Sequence, residues 1–366
     1  MPDDISDEDQ EDDEPRGPAV EKTSIDDVVL GAPIHEDSDA TVSASHPPIA
    51  RPIIGVTRNP KLSLPQHHQI EAGCLWDRDN WSCSYDVVFM LFWFVYRSAS
   101  PEWREKWKQQ APKWNKFLGE AFDALLAMAQ HSSQEALSHA FTSFRETFRD
   151  ELSRINPGYF PRRGQVLASV CHIFSHIFSG STEYEPHLEQ VIACDRCNTS
   201  TTARSSFTLL GSSSLLEIHH HEDDVGPFLP LQTAVTRYIQ YVSQEPTRDH
   251  CRTCSGPLRV DSLSMPETTW VWIELCDEVS PIAPSSRLVF GLQDQRQVYA
   301  LQAVIYLGGG HFTARLLDQS ATWWNYDGMW RFGAPHVDRV EDEVDLLKNG
   351  DRRAAFLVYC RVDCPD

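Results

Sequence analysis

Apolar residues fall into two regimes along the chain. Over 87–96 they are continuous (VVFMLFWFVY), the length of a short buried helix. Trp114, Phe117, Leu118, Ala121, Phe122, Leu125 and Leu126 then recur at helical spacing, as do Leu137, Phe141, Phe144 and Phe148. Ser100-Pro101-Glu102 reads as a helix start with proline in the first turn. Ser132 with Glu135 makes a capping box, and Pro157 closes the stripe that follows. A further helix is predicted over 165–179. From residue 183 the runs become short and β-rich, at 205–210, 214–218, 270–275, 287–290, 298–306, 312–316 and 355–360. One helix over 230–243, with Leu231, Val235 and Ile239 on one face, interrupts them. Helices first and strands later predict an α+β fold with a cleft between a helical and a β-rich lobe.

Ahead of this pattern the chain changes character. Residues 1–66 are acidic and then Ser/Pro-rich, with little to pack, and are expected to be a disordered tail. Within 1–40, 15 acidic side chains face 2 basic ones, a net of −13, which leaves −8 of the chain's −21 for the rest. That balance argues against nucleic acid as a direct partner. The tail is read as a solubilising terminus in preference to a docking segment. With 41% apolar residues the chain can bury a full core, and its longest apolar run, 87–96, is too short to span a bilayer. A soluble protein of the cytoplasm or nucleus, monomeric and without a membrane partner, is expected.

Two constellations carry chemistry. Gly310-His311-Phe312-Thr313-Ala314 follows an apolar, glycine-rich approach, and Trp323-Trp324-Asn325-Tyr326-Asp327 follows at the distance of an antiparallel neighbour. This places a histidine and an aspartate within reach of each other, as an oriented general base requires. The matching nucleophile is Cys83, in Asn80-Trp81-Ser82-Cys83, at the start of the apolar helix, where free N–H groups and the helix dipole favour thiolate. The second constellation is Cys194-Asp-Arg-Cys197 and Cys251-Arg-Thr-Cys254, with 53 residues between the two halves. Paired CxxC knuckles supply four thiolates for one structural zinc ion, with no position left open for chemistry. Other clusters are weaker. His219-His220-His221 would point in different directions from a strand; Cys171, His172 and His176 read as packing; Cys360 and Cys364 read as plain thiols; Cys74 and Cys276 carry no spacing signal.

The order of these motifs resembles the ubiquitin-specific proteases, cysteine peptidases with a papain-like core. The resemblance runs from about Gly73 to the C-terminus. It rests on Gly310 to Ala314, Trp323 to Asp327, the two CxxC pairs, and Met265-Pro266-Glu267 leading into Thr-Thr-Trp-Val-Trp-Ile-Glu-Leu. It implies a catalytic domain over 67–366, with a helical thumb at about 73–180, zinc-bearing fingers at about 181–265 and a β-rich palm at about 266–366. It further implies Cys83 as nucleophile, His311 as base and Asp327 as orienting acid, in a thiol-dependent hydrolase acting after the C-terminal glycine of ubiquitin or a ubiquitin-like modifier. The chain departs from the family at Arg78, where the oxyanion-stabilising Asn is expected, leaving Asn80 as the nearest amide, and at Trp81-Ser82, where Asn-Thr is expected. Arg162-Arg163 occupies the segment expected to be acidic toward the basic ubiquitin tail, so these arginines are read as channel residues that select a less basic modifier. A catalytically inactive ubiquitin-binding module and another papain-like acyl transferase or peptidase stand as alternatives.

Overall fold

A computed structural model of the chain describes residues 72–109, 113–164, 166–178, 187–206, 228–244, 247–264, 270–275, 282–290 and 297–362. The tail expected over 1–66, the strand expected over 214–218, the His219–His221 run, Cys276 and Cys364 lie outside the described residues.

Five helices come first: α1 Cys83–Ser98, α2 Pro101–Gln109, α3 Lys113–Ala129, α4 Gln134–Ile155 and α5 Val170–Phe178. The continuous apolar run makes α1 the centre of this layer, since every residue from Val87 to Phe94 is buried. Phe89, Phe92 and Trp93 meet Phe122, Phe141, Phe148 and Phe174 from α3, α4 and α5 at ring centroid distances of 5.1–6.3 Å. Two helix starts differ from expectation. The cap of α4 is Ser133, whose Oγ accepts from the Ala136 N–H, because the Ser132 N–H turns back to Met128 O and closes the preceding turn. Helix α5 begins at Val170 and not near 165, because Ser169 acts as its cap, its Oγ accepting from His172 N–H and its carbonyl from Ile173 N–H.

The β-rich half holds two main sheets. Strands β1 His187–Cys194, β2 Ser200–Ser206, β4 Thr247–His250 and β5 Pro257–Ser264 form the first, in the order β2-β1-β5-β4. Strand β3 Leu229–Pro230 pairs in parallel with β7 Ile282–Ala283, and between them in sequence lies α6 Leu231–Gln244. The larger sheet is built from β6 Trp270–Glu274, β8 Arg287–Phe290, β9 Gln297–Gly308, β10 His311–Leu317, β11 Trp323–Tyr326, β12 His336–Asp338, β13 Lys348–Asn349 and β14 Arg352–Arg361. Its path runs β12-β11-β10-β9-β14-β13, with β6 added on β14 and β8 on β9.

Alternation decides which face each strand residue takes. Trp270, Trp272, Ala303, Ile305, Phe312, Ala314, Phe356 and Val358 join the core shared with α1 to α5. Their neighbours Val271, Ile273, Val304, Tyr306, Leu357 and Tyr359 face a second core with Leu231, Val235 and Ile239 of α6. The sheet is thus covered on both faces, and α1 packs against β10.

A charged cluster lies inside the helical layer. Arg145 Nε stands 3.1 Å from Asp86 Oδ1, with the side chains 0% and 1% exposed, and Arg145 also donates to Leu75 O at 2.7 Å. Arg149 donates to Asn80 O and Pro161 O. Two guanidiniums of α4 therefore tie down the loop before α1. Removing one partner of such a pair leaves a buried charge with nothing opposite it. Arg145→Ala is expected to cost about 3–5 kcal/mol of stability in urea unfolding; a loss under about 1 kcal/mol would show the pair to be solvated.

Candidate active site and metal centre

The histidine strand begins at a tight hairpin. Gly309 and Gly310 adopt φ of 59° and 71°, the left-handed pair that a two-residue turn with the right twist requires, and His311 is the first residue after it. Register then brings the aspartate round. Ala314 faces Tyr326, so Asp327, just past β11, stands diagonally across from His311 on the same side of the sheet. His311 Nε2 lies 2.8 Å from Asp327 Oδ1, which also accepts from the Met329 N–H at 3.0 Å. Burial works to raise the Asp327 pKa, but these hydrogen bonds and the charges of His311 and Arg352 outweigh it and hold the carboxyl below its usual range.

His311 is 6% exposed, and its Nδ1 is buried with no hydrogen-bond partner among the described residues. If Nε2 carries the hydrogen shared with Asp327, Nδ1 is the free acceptor. The Trp76 ring meets the imidazole edge-on at 5.4 Å.

The cysteine loop is docked onto β11 and the turn after it. Tyr326 Oη donates to Cys74 O at 3.2 Å and Trp76 N–H to Gly328 O at 3.2 Å. Gly73 and Gly333 pass so closely that a Cβ on Gly333 would stand 2.1 Å from Cys74 O. From there Asp77 organises the turn into α1. Its carboxylate accepts from the N–H groups of Asp79 and Asn80 and from Asn80 Nδ2, while its own N–H donates to Ser82 Oγ at 2.8 Å. Ser82 Oγ in turn donates to Asp86 Oδ2 at 2.8 Å. Trp81, at φ 43°, carries the backbone strain of this turn, and its ring edge lies over Gly310.

Cys83 is therefore the first residue of α1, beside the start of the histidine strand, and the Phe312 N–H points at its sulfur. It is 2% exposed. Here the expectation of a ready thiolate at a helix start is corrected: burial pushes the Cys83 pKa up to about 11, outweighing the nearby N–H groups of Phe312, Ser84 and Cys83 itself. The resting group is a thiol.

Two further expectations are corrected. The Asn80 side chain is engaged at both ends: its Nδ2 donates one hydrogen to Asp77 and its Oδ1 accepts from Gly164 N–H at 3.0 Å, so the amide joins two loops. Arg162 does not present unopposed positive charge, because Glu146 Oε2 lies 2.7 Å from its Nη1 and Asp150 Oδ1 pairs with its Nε. With the Arg162 charge already paired, the charge-repulsion argument for a less basic modifier lapses at this residue. Arg163 is exposed. His172 and His176 pack on aromatic rings, His172 on Tyr159 at 4.7 Å and His176 on Phe160 at 5.3 Å and Trp114 at 6.0 Å.

The four cysteines of the CxxC pairs converge. Their sulfurs all lie within 4.8 Å of one another, with Cys194 to Cys254 at 3.4 Å and Cys197 to Cys251 at 3.6 Å. Metal–sulfur bonds of about 2.3 Å in a tetrahedron set sulfurs about 3.8 Å apart, so the cluster fits one ion. The two turns share a construction. Asn198 N–H bonds Cys194 O and Ser255 N–H bonds Cys251 O, and both Asn198 and Ser255 take positive φ, at 55° and 54°. A Cβ on Gly256 would come within 3.1 Å of Cys194 Sγ and 3.2 Å of Cys254 Sγ, so the second turn needs glycine where it passes the cluster. The donor set of four sulfurs suits a soft or borderline ion such as zinc.

No known family model matches the chain, and no curated protein matches it. Among solved structures, the SAGA DUB module of Ubp8 with Sgf11, Sus1 and Sgf73 is matched at 12% identity over 77% of this chain and 67% of that one, with a TM-score of 0.45. The same module bound to monoubiquitin is matched at 13% identity over 85% and 73%, with a TM-score of 0.39. At such scores neither match bears on function.

Sequence reasoning missed several residues of this site. Trp76, the Met329 and Phe312 N–H groups and Arg352 belong to no motif, and only the docking of strand, loop and hairpin brings them in. Among the described residues no helix is long and apolar enough to cross a membrane.

Proposed function

We propose that the chain is a cysteine hydrolase that cleaves the peptide or isopeptide bond after the C-terminal glycine of ubiquitin or a ubiquitin-like modifier. What supports this is a helix-start cysteine whose helix packs on the strand that His311 begins, together with a buried His-Asp pair whose second ring nitrogen has no partner among the described residues. The modifier is supplied by the sequence resemblance to ubiquitin-specific proteases.

In this reading His311 Nδ1 takes the proton of Cys83 as the sulfur attacks the carbonyl carbon, and Asp327 stabilises the imidazolium that forms. The N–H groups at the start of α1, those of Cys83 and Ser84, are the donors for the oxyanion, in place of the engaged Asn80 amide. The carbon–nitrogen bond breaks, His311 returns the proton to the leaving amine, and a thioester remains. Water, deprotonated by His311, then releases the carboxylate and the thiol. Because the resting thiol is buried with a pKa of about 11, proton transfer and attack are coupled to substrate binding, which must uncover the sulfur. The ion held by Cys194, Cys197, Cys251 and Cys254 is taken to be zinc, with a structural role.

A ubiquitin probe bearing a C-terminal electrophile tests the assignment. Wild-type protein is expected to form a covalent adduct that Cys83→Ala abolishes. Non-covalent retention of ubiquitin without any adduct would favour the binding-module alternative, and an adduct surviving in Cys83→Ala would place the nucleophile elsewhere.

A further inference from the structure

The carboxylate behind His311 is held from its far side by a residue that no motif marks. Asp327 Oδ1 is taken up by His311 and Met329, and Arg352 Nη2 lies 3.6 Å from Oδ2, with the two side chains 21% and 20% exposed. Arg352 is the first residue of β14, next to the β13–β14 turn, in which Gly350 takes φ 64° and Asn349 faces Arg352 across the ladder. The turn is fastened over the site strands by Asn349, whose Nδ2 donates to Asn325 Oδ1 at 3.0 Å and Thr313 Oγ1 at 3.4 Å. Arg315 adds a bond from Nη1 to Lys348 O at 2.8 Å. Gly308 is the other half of the arrangement. A Cβ there would come within 2.9 Å of Arg352 Cγ and 3.0 Å of its Cα, so the absent side chain is what lets the arginine stem cross the end of the β9–β10 hairpin. Among the described residues Arg352 Nε is buried with no hydrogen-bond partner, and Asp327 is the carboxylate paired with the guanidinium.

We infer that Arg352 is a positioning residue of the active site: it fixes the Asp327 carboxylate in rotamer and in its ionised form, so that the His311–Asp327 pair survives into acid. The inference rests on the proposed roles of His311 and Asp327. Other charged or titratable groups face the same place. Asp86 of α1 stands against Gly328, His336 of β12 feels the Asp327 charge, and Arg331 lies near His336. Among the described residues, only His311 and Arg352 reach Asp327 itself by ion pair. An opposite charge favours the charged form, so Arg352 depresses the protonation of Asp327; without it the carboxylate takes up a proton at higher pH and His311 loses its acceptor.

The test is the acid limb of two pH profiles in wild type, Arg352→Gln, Arg352→Lys and the exposed neighbour Arg353→Gln. One profile is kcat/KM on a ubiquitin C-terminal fluorogenic substrate. The other is the protonation of the Asp327 carboxyl followed by carbon NMR, which needs no modifier and so remains informative if ubiquitin is not the substrate. Arg352→Gln keeps the stem that packs on Gly308, and is expected to move both acid limbs up by about one pH unit. Arg352→Lys should leave them close to wild type, as should Arg353→Gln. The inference is overturned if Arg352→Gln leaves both limbs in place, or if the lysine variant shifts as far as the glutamine one, which would mark a packing role. Absence of ubiquitin turnover in wild type, with the Asp327 protonation still shifting in Arg352→Gln, would retain Arg352 and reject the proposed substrate.

Discussion

Alanine at Cys83 or at His311 is expected to lower kcat/KM on a ubiquitin C-terminal amide by about four orders of magnitude, and the double variant no further. The size follows from the burial of the sulfur. A thiol with a pKa of about 11 leaves roughly one molecule in ten thousand as thiolate at pH 7, a deficit on the order of 5 kcal/mol that the base must make up as the bond forms. Nucleophile and base are thus one device, and removing either removes the whole effect. Single-turnover kinetics of the three variants check this. Costs that multiply in the double variant would mean that Cys83 and His311 act separately, and full activity in Cys83→Ala would end the assignment.

The second large effect is expected at the cysteine cluster. Purified protein should carry about one equivalent of zinc, and Cys254→Ser should lose most of it. Strand β1 pairs with β5, and each ends or begins beside a knuckle, so an ion bound there would join two hairpins far apart in sequence. Metal binding at such a site is folding free energy, about 10–16 kcal/mol in isolated zinc-binding peptides, and a weakened site forfeits several kcal/mol of that locally. Proteolysis within 187–264 should accelerate on chelation while the helical layer keeps its own aromatic core. Because the ligands are thiolates, metal retention should fail as pH is lowered. Four free thiols and no metal in protein purified without chelator would remove the site.

The helical layer was legible because its signals are local. The unbroken 87–96 run could only be a buried element, and the stripes of α3 and α4 repeat within one helix. Sheet register was partly legible, since Gly309-Gly310 and the Trp323 stretch announce a hairpin and a return strand. Strands β1 and β5 were not foreseen as such, although Leu258 and Val260 alternate in β5; the knuckles drew attention to the turns at the expense of the strands that hold them. His311, Asp327 and Cys83 could be singled out by type and order, and the structure pairs His311 with Asp327, whereas the fates of Asn80 and Arg162 depended on partners 84 residues away at Gly164 and 12–16 residues away at Asp150 and Glu146. Composition cannot show that a charge is already answered.

Sulfur oxidation gives the buried nucleophile a different significance. Peroxides attack thiolate, and a protonated sulfur with 2% of its residue exposed offers them neither the reactive form nor an approach. The resting protein should therefore pass through oxidative exposure with Cys83 unmodified, while the same exposure during turnover, when the thiolate forms and the site is open, would convert it to the sulfenic acid. Vulnerability would then track workload, and an idle pool of the protein would serve as a reserve.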